Sequence, residues 1–503
     1  MLEMSLRTRD GSGQTRITKR QFDPKKTAVV IVDPWNYHWC MTACQRVGAM
    51  VPRWNKAVAC ARKLGMQVFW APSDVIGAYS GYPQRERALA VERIDVPKVR
   101  DLSAAEFTAT VGRCMCGPGF NCHYNYGHDA MNGDLVLADE DLIISDTQEV
   151  YSLLKQRGIG SVIYMGLHTN MCLFGKPGAL RWLHEAGLDC VLCRDINDAF
   201  THYDPAAGFT PDCGTQQIDE DLERAGIATI NMMEEMVKAG VWNSDEIVET
   251  VRITPWGKPA RPYFFEKSLA VALTAPWLER VEIRYTTDGS TPTAKSPRCK
   301  GTVRLAGTTT LHAAAFRGRR KVSLVTDAYF VRMPAKPPRP DVYLDELGFI
   351  LDPYARIGPV YASFFWIPRV GQSFEGRPLR IRGVTYARGL GFLGPSSIRY
   401  DLKPAFRRFV ALAGIADNML QDGMGPKLAG KPAVIFKVFI DGQCMAESPV
   451  MRISQEPWRF DVKIPRGARM INLVCMDGLD RSVLNLGNWV EAGFVTATRP
   501  AGV

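Results

Sequence analysis

The chain has 503 residues, 46% hydrophobic and 23% charged. This globular composition excludes a disordered or collagen-like chain, and at about 150 residues per domain it predicts roughly three domains. Its net charge of +10 is spread without a block of like charge, so no nucleic-acid arm is expected, and no apolar run reaches the roughly 18 residues of a membrane helix.

The first residues, MLEMSLRTRDGSGQTRITKRQFDPKK, are polar and lack an apolar h-region, so no signal peptide is expected. TAVVIVD (27–33) reads as a strand ending in a carboxylate, VPRWNKAVACARKLGM (51–66) as a helix and QVFWAPSD (67–74) as a buried strand. YSLLKQRG (151–158) is helical, SVIYMGLHT (161–169) a strand, ALRWLHEAG (179–187) a helix and DCVLCRD (189–195) a strand. The alternation predicts an α/β domain over 1–255, a three-layer doubly wound parallel sheet. Such sheets bind ligands beyond the carboxyl ends of their strands. WGKPARP (256–262) then reads as a linker, and short strands such as VEIRYTTDGS (281–290) and TTLHAAAF (309–316) follow. MPAKPPRPD (333–341) is a stiff, proline-rich second linker before another strand-rich region. Residues 256–340 and 341–503 are thus expected to be two all-β, antiparallel sandwich domains.

The chemistry concentrates in the first domain. Thirteen cysteines leave at least one unpaired thiol. In SVIYMGLHTNMC a strand passes through a tight turn to Cys172 at a helix start, where backbone N–H groups and the helix dipole would favour a thiolate and hold an oxyanion. A buried, inert cysteine is the alternative. Asp33, at the end of the first strand, is the candidate proton acceptor for Cys172, or else a turn residue.

TAVVIVD with Asp33, GLHTNMC with Cys172, and CVLCRDINDAF (190–200) occur in the order seen in the isochorismatase-like cysteine hydrolases, which residues 27–235 resemble. The resemblance implies an Asp, a Lys and a Cys that cleave amide or related C–N bonds in a small molecule through an acyl-enzyme. It also implies a cis Leu167–His168 peptide and an oxyanion hole at the backbone N–H groups of His168 and Cys172. The family lysine would fall in DEDLIISD (139–146), yet no Lys lies between residues 99 and 154. Lys176, four residues after Cys172, would share its helix face if that turn is regular; otherwise it is a solvated side chain. Trp35, His38 and His168 are candidate substrate-binding residues, the two histidines also acid–base candidates near pH 7 or else histidines of the core. The nicotinamidase branch would place a metal motif at APSDVIGAYSGYP (71–83), which holds Asp74 but no His. No metal and no cofactor are therefore expected.

RCMCGPGFNCH (113–123) brings Cys114, Cys116, Cys122 and His123 together, as disulfides, zinc ligands or plain thiols in a lid-like loop. VEIRYTTDGSTPT (281–293) with the strands after it resembles the C-terminal sandwich of chitobiases and hexosaminidases. VYLDELGF (342–349), PLRIRGVTYARGLGFLGPSSIRYDL (378–402), RFVALAGIAD (408–417), VIFKVFIDGQ (434–443) and GNWVEAGFV (487–495) resemble the carbohydrate-binding module NPCBM. That resemblance implies a glycan partner, with Trp489 the candidate to stack on a sugar, or else a buried residue of the sandwich core, and it argues for export against the leaderless N-terminus. The hydrolase-like domain is a candidate surface for self-association. Two functions follow, a thiol hydrolase held near a glycan or a degenerate hydrolase domain serving as a scaffold.

Overall fold

The computed structural model describes residues 1–102, 107–109, 114–118, 128, 130–351, 367–420, 432–453, 455–478 and 485–497. The first domain is built on eight strands: β1 (Leu2–Arg9), β2 (Thr15–Phe22), β3 (Thr27–Val32), β4 (Gln67–Ala71), β5 (Leu142–Ile143), β6 (Ser161–Leu167), β7 (Asp189–Asp198) and β8 (Ala228–Ile230). Their spatial order is β2-β1-β8-β7-β6-β3-β4-β5. The last six in that order run parallel and follow the doubly wound pattern. β3 lies at the centre, with all six residues buried, which is why it reads as an unbroken apolar run.

The strand order reverses between β3 and β6, which pair from Thr27↔Ser161 to Val32↔Gly166. Asp33 and the turn leading to Cys172 leave the sheet side by side at this switch point. Gly166 makes the approach possible. At φ 119°, a Cβ there would lie 2.1 Å from the Val32 carbonyl oxygen, a position only glycine tolerates.

Two elements depart from expectation. β1 and β2 form an antiparallel hairpin on the sheet edge, making the sheet mixed. Leu2, Met4 and Leu6 alternate inward, a period-two pattern hidden in a polar stretch. Helix α1 spans Met41–Leu64 and carries Pro52 inside it. The proline marks no helix start, because burial of the flanking Val51 and Trp54 outweighs the lost hydrogen bond. The remaining helices are α2 (Pro83–Leu89), α3 (Thr147–Gln156), α4 (Cys172–Gly175), α5 (Leu180–Glu185), α6 (Pro211–Arg224) and α7 (Met232–Lys238). None of the described helices is long and apolar enough to cross a membrane.

The next region folds as two small sheets. Its first strand, β9 (Arg252–Thr254), pairs antiparallel with Leu269–Thr274. Tyr263–Phe265 pairs parallel with Thr326–Arg332, so this sandwich is not wholly antiparallel. The last region has two larger antiparallel sheets, one centred on Asn485–Thr496 beside Phe406–Ile415 and one on Met470–Asp477 beside Ala433–Ile440.

The three regions pack on one another. Segment 256–262 fills their junction: Trp256 donates its indole N–H to Asp327 O, Arg261 Nη2 donates to Ile453 O at 3.0 Å, and Gln455 reaches Pro262 O. One apolar cluster joins Cys40, Met41, Cys114, Met115 and Phe200 to Val251, Ile253, Tyr263 and Phe330. A buried ion network closes the same junction. Arg46 grips both oxygens of Asp198, at 2.9 and 2.5 Å, and reaches Asp212 at 2.7 Å, which also pairs with Arg252 of β9.

Candidate active site

Asp33 follows β3 directly. Its N–H is held by Ala71 O at 3.0 Å and its C=O accepts from Trp35 N–H. This pinned turn gives Asp33 a φ of 48°, a left-handed conformation that Asp tolerates better than most residues, and faces its buried carboxylate toward the β6 exit. Lys176 Nζ lies 3.3 Å from Asp33 Oδ2 and 2.9 Å from Asp74 Oδ2. Burial pushes the Asp33 carboxyl up to about 6; Lys176, the Ser73 hydroxyl and Cys172 hold it from rising further. Burial works against the Lys176 charge, but Asp33, Cys172 and Asp74 outweigh it and raise its pKa.

The route to Lys176 differs from the expected one. Helix α4 is a single turn, and Lys176 is its extended C-cap residue, with φ −68° and ψ 158°. It reaches the carboxylates from outside the helix face. Asp74, noted in the sequence only within a motif lacking its histidine, is the second carboxylate on this lysine.

Cys172 is buried at 8% exposure. Its thiol is pushed up to about 12, first by burial and then by the Asp33 charge; Lys176 and the His168 backbone N–H work in the opposite direction. The expected acidic thiol is therefore not found, because one turn of helix supplies less than burial and a neighbouring carboxylate remove. At neutral pH the pair is a protonated thiol beside an ionised carboxylate. The Leu167–His168 bond is trans; the cis bonds among the described residues are Thr254–Pro255 and Gly394–Pro395.

An aromatic wall stands beside this trio. Trp35 stacks on His128 at 4.0 Å, and the Lys176 ammonium lies 5.9 Å from the Trp35 ring centre. His38 Nε2 lies 3.3 Å from His168 Nε2, and Phe200 packs on both rings. The two histidines are not titrating near pH 7. Burial pushes His38 well below its ordinary value, helped by His168 and His128, and pushes His168 down to about 4. The contact also fixes the tautomers. His38 Nδ1 accepts from Cys40 N–H at 2.9 Å, so the His38 proton sits on Nε2 and points at His168 Nε2. His128 and Phe200 were missed as wall residues; Phe200 lay in plain view in CVLCRDINDAF.

Among the described residues no disulfide forms, and Cys213 sits exposed in α6. Cys122, His123 and most of the lid-like loop lie outside the described residues. Trp489 is corrected. It is fully buried, 4.8 Å from Phe460 and 5.2 Å from Phe436 in ring separation, and no sugar can reach its face.

Two stretches of the chain match known family models. Residues 358–495 match the family model described as NPCBM/NEW2 domain. Residues 265–327 match that of the chitobiase/beta-hexosaminidase C-terminal domain. A protein named "Putative endo-alpha-N-acetylgalactosaminidase" from Renibacterium salmoninarum is 31% identical over 188 residues, covering 36% of this chain. The match spans only 11% of that relative. Among solved structures, the CBM51 module of GH95 from Clostridium perfringens, in complex with methyl-galactose, shares 22% identity over 31% of this chain and 99% of that one, with a TM-score of 0.25. A cysteine hydrolase from Pseudomonas syringae pv. phaseolicola shares 16% identity over 44% of this chain and 97% of that one, with a TM-score of 0.29.

Proposed function

We propose that the first domain is a cysteine hydrolase cleaving a non-peptide amide or related C–N bond, with the third domain holding it near a glycan. The observation that carries this reading is the trio of buried Cys172 and Asp33 with the half-buried Lys176 at the switch point of the sheet. Asp33 takes the Cys172 proton as Sγ attacks the substrate carbonyl and the C–S bond forms. The backbone N–H groups of His168 and Cys172 receive the oxyanion. The C–N bond breaks, and the amine leaves with the proton from Asp33. Water, deprotonated by Asp33, then hydrolyses the thioacyl group and restores the thiol. Lys176 keeps Asp33 ionised, and Trp35, His38 and His168 line the substrate side. The position of Lys176 favours this over a degenerate scaffold domain, whose main support was the lysine missing from residues 99–154.

The test uses p-nitrophenyl acetate, an activated acyl donor. The expected result is a burst of nitrophenolate with an acetyl mass on Cys172, absent in Cys172→Ala and Asp33→Asn. Acetylation confined to the exposed Cys213 and Cys444, with Cys172 unmodified, overturns the proposal.

A further inference from the structure

We propose that Cys40, Cys114 and Cys116 form a zinc site at the junction of the first and second domains, separate from the hydrolytic trio. The three sulfur atoms lie within 4.8 Å of one another. Cys40 Sγ is 3.5 Å from Cys114 Sγ and 3.7 Å from Cys116 Sγ. These separations are far too long for a disulfide of about 2.05 Å. They approach the edge of a tetrahedral zinc–thiolate site, which for a Zn–S bond of about 2.3 Å measures about 3.8 Å.

The surroundings suit thiolates. All three cysteines are buried. Cys116 N–H donates to Cys114 Sγ at 3.3 Å, and Thr42 Oγ1 lies 3.2 Å from Cys116 Sγ. Such N–H and O–H donors support metal-bound sulfur. The site is also tied to its neighbours: Tyr263 of the second domain donates to Cys116 O at 3.0 Å.

Three soft ligands converging in a dry site select a thiophilic d10 cation over magnesium or calcium. On binding, three thiol protons leave to solvent, and Zn(II) with three thiolates carries one net negative charge, against two for Cu(I). Zinc thus leaves less buried charge. The role is structural, pinning the start of α1 and the 114–116 segment against the second domain.

The full chain, expressed with zinc and desalted, is assayed by elemental analysis and by iodoacetamide labelling read out peptide by peptide. One zinc per chain is expected, with retention at least tenfold lower in Cys114→Ser and in Cys116→Ser. Because those variants can fail to fold, the wild-type chain supplies a second reading. Stripping with a chelator should raise labelling of Cys40, Cys114 and Cys116 at least tenfold and leave the exposed Cys213 and Cys444 unchanged. Absence of stoichiometric zinc, or labelling of the three cysteines indifferent to the chelator, overturns the site.

Discussion

The Lys176 ammonium lies 3.3 Å from the Asp33 carboxylate, joining the end of the central strand to the residue that closes the Cys172 turn. The pairing sets the resting state of the trio. It keeps a buried carboxylate ionisable near neutrality while the adjacent thiol stays protonated, so a proton donor and its acceptor stand side by side before substrate arrives.

A pH dependence follows. With the Asp33 carboxyl at about 6, the rate of Cys172 acetylation should rise through pH 6 and fall about tenfold per unit well below it. Lys176→Met removes a cation that favours the carboxylate, so the inflection should move to higher pH. A pH profile of nitrophenolate release checks both; an unmoved inflection refutes the pairing. The stability sign is opposite to that of a salt-bridged surface aspartate. The folded pKa exceeds the ordinary 3.8, so between about 4 and 6 the native state binds more protons, and this group's contribution to stability declines as pH rises.

Gly166→Ala should disable the site without touching a reacting atom. The added Cβ meets Val32 O at 2.1 Å, so β3 and β6 must part where Asp33 and Cys172 leave them. A loss of about 3 kcal/mol in urea denaturation, with acetylation of Cys172 abolished, is expected. Wild-type stability in this variant would show that the close approach is not needed.

Arg46→Met should cost about 3–5 kcal/mol, the usual result of stranding a buried charge. Asp198 would lose its bidentate partner, while Arg252 still pairs with Asp212. The measurement is the midpoint of the earliest urea transition. The equivalent change at exposed Arg16, paired with Asp10 at 3.2 Å, should move it little.

Trp489→Phe should lower the melting temperature of the third domain yet leave any glycan retained by the wild-type chain still retained on an array. Selective loss of glycan signal with unchanged melting would return Trp489 to the sugar face, against its full burial.

Asp33 and Cys172 were legible because a strand end and a strand-to-helix turn leave marks in sequence: an apolar run closed by a carboxylate, and an apolar strand followed by a short turn to a thiol. Lys176 was legible only as a candidate. Its position depends on where a one-turn helix stops, and Asp74 meets it from a different strand exit. Trp489 stays open between the core and a sugar face in the sequence because Asn485–Thr496 is buried on both faces over most of its length, which removes the alternation that separates inward from outward residues. The β1–β2 hairpin was hidden by polar residues on its solvent face. The thiol triad could not be read from 113–123 alone, since Cys40 joins it from the start of α1.

The shared cluster at the junction has a consequence for biosynthesis. Cys40, Met41 and Phe200 are covered by side chains that extend as far along the chain as Phe330. A ribosome therefore releases the whole first domain well before it releases the residues that roof this wall. Until they emerge, the nascent chain carries an uncovered apolar strip and a group of solvent-accessible thiols. Folding of this corner must wait for the second domain, and a gene fragment ending near residue 250 would encode the trio without the cover over the adjoining wall.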